Sequence, residues 1–133
     1  MFLHMLNDDQ KRAFAALALK LTAADGAVVG REAAKLRALA GEMNLDLEGL
    51  DSNANADVAT LTAAFTDRRS KIVALLELLG FAYSDTSFQA VEQSMVAEAA
   101  RAMNVSGDEL KRLDAWVGQH VEHVRRAFAL MRE

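Results

Sequence analysis

A chain of 133 residues that is 52% hydrophobic and 26% charged can bury a core without metals or cross-links, which excludes a disordered polymer. It contains no Cys, so a disulfide framework, a thiol nucleophile and a thiolate metal site are excluded, and a cytoplasmic location is expected. A net charge of −4 with no concentrated basic stripe leaves nucleic-acid binding without its electrostatic footprint.

Zero Pro, abundant Ala, Leu, Glu, Lys and Arg, and few β-branched or aromatic runs predict an all-α protein. The opening Met1–Leu6 is apolar, but Asn7-Asp8-Asp9 ends it, far short of the ~20 residues that span a bilayer. It also lacks the basic lead of a secretion signal, so neither a leader nor a transmembrane segment is expected. Two readings of it stay open: a segment packed on the bundle, or a surface strip that docks a partner.

Asn7 caps the first predicted helix, with Gln10 completing a capping box and Asp8 and Asp9 at the positive end of the dipole. The helix runs to about Ala24 with Phe14, Leu17, Ala18 and Leu21 as its inner stripe. Asp25-Gly26 stops it, and a second helix spans Val29 to Met43. Residues 44–55 form the longest polar connection. Its alternating Asp51, Asn53, Asn55 and Asp57 imitate a calcium loop. Ala56 stands where that loop needs Gly and Thr62 where it needs Glu, so Asn55 or Asp57 is read as a helix cap.

A third helix over 57–66 carries Val58, Leu61, Thr62 and Phe65 on one face. The fourth, 67–83, is apolar nearly all round and belongs in the middle of the bundle, with Gly80 expected at a close helix approach. The fifth, 88–103, has Phe88, Val91, Met95, Ala99 and Met103 as its stripe. Ser106 with Glu109 forms a capping box that opens a long last helix, with Leu110, Leu113, Val117, Val121, Val124, Phe128 and Met131 facing inward. The expected architecture is a compact all-α bundle of about six helices in one domain, 1–133.

The chain also repeats itself. At an offset of 60, residues 17–50 meet 77–110 with seven identities: Leu19/Leu79, Asp25/Asp85, Glu32/Glu92, Ala40/Ala100, Met43/Met103, Asn44/Asn104 and Leu50/Leu110. Two similar helix–acidic turn–helix halves are therefore expected. Asp25, Glu32, Asp85 and Glu92 are the candidate site, because a pseudo-twofold would gather four carboxylates of the kind that hard divalent cations bind. The alternative stays open that both Asp are turn formers and both Glu favour a first helical turn. No cofactor is required, and a divalent cation is the one candidate.

Other candidates are weaker. His120-x-x-His123 lacks the Glu-x-x-His and His-Glu-x-x-His contexts of metal helices and reads as a pair at the bundle edge. Trp116 and Tyr83 read as core or core-edge residues. Arg68-Arg69 with Lys71, and Arg125-Arg126, read as solvated faces. No Gly-x-Ser-x-Gly, phosphate-cradling loop or nucleophile triad is present, so no enzyme is expected.

The run Leu17–Val28 with Ala24-Asp25-Gly26, followed by Glu32, resembles the signature of the tellurite-resistance TerB-like family, and Tyr83-Ser84-Asp85 through Glu92 to Met103-Asn104-Val105-Ser106 is its degenerate echo. Thr86 replaces the second Gly, and Val29 and Gln89 stand where relatives often have a capping Ser. The resemblance implies a cytoplasmic, non-enzymatic stress-response module that works in protein complexes, sometimes near membranes, with divalent-metal contact through the repeated acids. A plain protein-interaction module, co-chaperone-like or a membrane-complex adaptor, is the alternative.

Overall fold

The computed structural model describes residues 2–23, 41, 57–83 and 90–132. These hold a short 3-10 turn, Leu3–Met5, and five α-helices: α1 Asp8–Ala23, α2 Val58–Thr62, α3 Arg68–Tyr83, α4 Ala90–Ala102 and α5 Gly107–Arg132. Among the described residues there is no strand, and no helix is long and apolar enough to cross a membrane. The Asp25-Gly26 stop, the helix expected over Val29–Met43 apart from Gly41, the calcium-like loop before Asp57, and the second acidic turn lie outside them.

The caps follow the local chemistry of the sequence. Asn7 and Gln10 form the reciprocal box: the Gln10 N–H donates to Asn7 Oδ1 at 2.8 Å and the Asn7 N–H to Gln10 Oε1 at 3.0 Å. Asp57 caps α2 by accepting from the Thr60 N–H at 2.8 Å, and the Thr60 side chain together with that N–H holds its carboxyl below the usual range. Ser106 accepts from the Glu109 N–H at 3.2 Å. The Glu109 carboxylate, expected to reach back, is instead taken by the Arg68 guanidinium of α3. A charge-assisted partner there outcompetes a neutral backbone donor.

The end of α4 explains part of the internal repeat. Asn104 has φ 60°, the left-handed conformation that Asn tolerates better than most residues. Its N–H reaches the Arg101 carbonyl at 3.1 Å, and the Val105 N–H reaches Ala100 at 2.8 Å, which is the Schellman pattern with buried Val105 folded back over Ala100. Ala100, Met103 and Asn104, three of the repeated identities, are thus a helix stop in this copy.

The core gathers around α3, which packs on α1, α4, α5 and the N-terminal turn, as its all-round apolar character requires. Phe14, Leu17, Ala18 and Leu21 of α1 are buried as expected, and so are Val58, Leu61, Thr62 and Phe65. The third predicted helix closes early, at Thr62. The Thr62 hydroxyl bonds back to the Val58 carbonyl at 2.8 Å, and the Phe65 N–H bonds to Thr62, which turns Phe65 into the core. The buried polar groups are satisfied: Gln10 also reaches the Ala64 carbonyl, Ser70 donates to Asp67, and Glu77 accepts the Phe2 N–H at 2.6 Å.

Three expectations fail. Beyond its own stretch of helix, no atom of the described residues lies within 4 Å of where a Cβ on Gly80 would stand, so no close approach among them explains that glycine. Trp116, expected at the core or its edge, is 43% exposed, because Leu113 and Val117 take the inward positions at that level of α5. Past Val121 the α5 stripe, Val124, Phe128 and Met131, is exposed rather than inward-facing.

Candidate functional site

Of the four acids, Asp25, Glu32 and Asp85 lie outside the described residues. Glu92 falls within α4, and its side chain is likewise outside them. Among the described residues no group of three or more His, Asp or Glu gathers as a metal site. The histidine pair sits at the edge of the bundle. His120 stacks on Trp116 with ring centroids 5.3 Å apart and planes 5° from parallel, while His123 is exposed.

Where the end of α3 meets α5, the Tyr83 hydroxyl donates to Asp114 Oδ1 at 2.7 Å. That hydrogen bond, then partial burial and the Asp114 charge, push the Tyr83 phenol up to about 12. Gly118 lies beside the ring: a Cβ there would stand 3.7 Å from the phenolic oxygen, an ordinary van der Waals contact. The adjoining cleft, about 650 Å³, is lined by Tyr83, Lys111, Asp114, Glu122, His123 and Arg126. Both signs of charge meet there, so it selects neither an anion nor a cation.

The N-terminal strip is packed on the bundle. Leu3 and Leu6 are buried, and the Phe2–Glu77 bond ties the backbone to α3. Phe2, Met5, Ile72 and Leu76 still line an open apolar groove of about 560 Å³ beside Arg69. Phe2 continues it toward Trp116, with ring centroids 6.3 Å apart. Phe2–Leu6 therefore packs on the bundle with Leu3 and Leu6 buried, and the side that carries Met5 is open to solvent.

Among the described residues the strongest unpartnered feature is the end of α5. Its apolar residues keep one spacing, Leu110, Val117, Val121, Val124, Phe128 and Met131, yet their surroundings change along it. Val117 is fully buried, Val121 is half-buried, and Val124, Phe128 and Met131 are 41%, 59% and 75% exposed. The helix carries its buried stripe past the edge of the core. Over 121–133 the sequence holds Arg125, Arg126 and Arg132 against two acids, Glu122 and Glu133, in a chain whose net charge is −4. Glu122 sits 4.0 Å from Arg125 and 3.8 Å from Arg126, with all three side chains exposed. Such pairs contribute little and yield easily to a competing carboxylate.

Sequence periodicity found this stripe and assigned it to the core. The signal that could have separated the halves is charge: Arg125, Arg126 and Arg132 crowd the last two turns, whereas the buried half carries mixed signs. No protein-family model, curated protein or solved structure matches the chain.

Proposed function

We propose that the chain is a non-enzymatic module that acts by binding a protein partner, a TerB-like component of a stress response of the tellurite-resistance type. The observation that supports binding is the exposed continuation of the α5 stripe through Val124, Phe128 and Met131. A contiguous apolar run rimmed by charge is how interaction surfaces differ from ordinary surface. A photo-crosslinking residue at position 128, introduced in cells, is expected to give discrete protein adducts. The same residue at position 126, on the opposite side of the helix, is expected to give none. Absence of adducts at 128 rejects the reading.

The repeated spacing of Asp25/Glu32 and Asp85/Glu92 supports a second reading, in which those acids hold a divalent cation. A cation at 100 times its dissociation constant adds about 2.7 kcal/mol to stability. Chelator-treated protein is then expected to melt several degrees higher with one of calcium, magnesium, manganese or zinc, and Asp25→Ala or Asp85→Ala to abolish the rise. No shift with any of the four returns the acids to turn and helix-end roles.

A further inference from the structure

We infer that the occupant of the exposed α5 face is an amphipathic helix of another protein whose apolar seam is flanked by carboxylates. The inference rests on the binding reading above and names its partner's chemistry.

The width of the stripe selects a helix. Val121, Val124, Phe128 and Met131 recur at steps of three and four residues, and at about 100° per residue they fall within an arc of about 80°. Such a narrow seam is what one helix presents to another in a coiled coil, with alternating knobs entering holes. A helix lying in a membrane interface instead carries a broad apolar face, as wide as the surface it must bury in lipid. Here Arg126 and Leu130 stand on the far side of the helix, so its apolar residues do not form one broad face.

The flank selects the charge. Arg125 and Arg132 lie seven residues apart, which places both along the same edge of the seam, next to Val121 and Phe128. The opposite edge carries His120 and Ala127, with no acid. A partner helix with Glu or Asp at its seam-flanking positions meets the two guanidinium groups, and one with Lys there is repelled. The same arrangement disfavours a second copy of this chain. In an antiparallel pair the Arg125/Arg132 edge faces its own equivalent, and in a parallel pair it faces His120 and Ala127, which offer no carboxylate.

The partner is tested with synthetic helices of about three heptads that share a Leu seam and differ only in flanking Glu or Lys. Fluorescence anisotropy on the full chain is expected to show the Glu peptide binding and the Lys peptide not. Phe128→Ser is expected to weaken the Glu peptide about tenfold. Reversing the edge with Arg125→Glu and Arg132→Glu is expected to transfer binding to the Lys peptide. Equal binding of both peptides, or of neither, overturns the inference. So does binding to anionic phospholipid vesicles in preference to both peptides, or a concentration-dependent dimer abolished by Phe128→Ser. Crosslinks at position 128 without discrimination between the peptides would leave the binding reading standing and remove only the acidic helix.

Discussion

The two halves of α5 carry the same apolar spacing and have opposite fates. From Leu110 to Val121 the stripe lies against α3 and α4, and Val117 loses all contact with solvent. From Val124 to Met131 the identical spacing is exposed and, among the described residues, lies outside the core cluster. Periodicity reports which side of a helix is apolar. It does not report whether another element stands opposite, because burial belongs to the pair and not to the helix.

Substitutions sharpen the contrast. Val117→Ala removes buried methyl groups from a site with no solvent access and is expected to cost about 2 kcal/mol, read as a drop in melting temperature of several degrees. A cost there no larger than at Phe128 would erase the distinction between the halves.

The buried half is tied to the end of α3 by Tyr83 on Asp114. Tyr83→Phe is expected to cost about 1 kcal/mol, the usual net worth of one hydrogen bond. The tie is also pH-dependent. The folded phenol is raised from 10.0 to about 12, so its contribution is complete below pH 10 and is lost as pH rises through about 12. Because the chain has one Tyr, its tyrosinate absorbance follows this residue alone. A midpoint near 10 would show the hydrogen bond does not persist in solution.

The smallest effect belongs to the exposed half. Phe128→Ala is expected to leave stability within about 0.5 kcal/mol of the parent while it weakens binding of the Glu peptide. A large loss of stability there would mean that Phe128 is packed after all, and the docking surface would fall with it.

Legibility in the sequence followed the range of each interaction. The Asn7–Gln10 box, the Asp57 cap and the Ser106 cap all join groups three residues apart, and all three formed. Glu109 departed from its expected box because Arg68, distant in sequence, reaches it. Gly80 shows the same limit from the other side: a glycine in an apolar helix suggests a close neighbour, but only the packed bundle decides whether one arrives. The four acids of the repeat are legible as a pattern of spacing, and their geometry lies outside the described residues. Part of the repeat acquired a simpler cause, since Ala100, Met103 and Asn104 serve a helix stop.

The sequence by itself determined that the described chain is helical, where most of its helices start and stop, and that 67–83 sits in the centre. Composition, capping and all-round apolarity are local properties, and they act before any tertiary contact exists. Only the tertiary structure decided that Trp116 and the end of α5 face solvent, that Glu77 anchors the N-terminal turn, and that Arg68 claims Glu109. Those outcomes depend on which elements meet across space, and an apolar side chain becomes core or contact surface according to what stands opposite it.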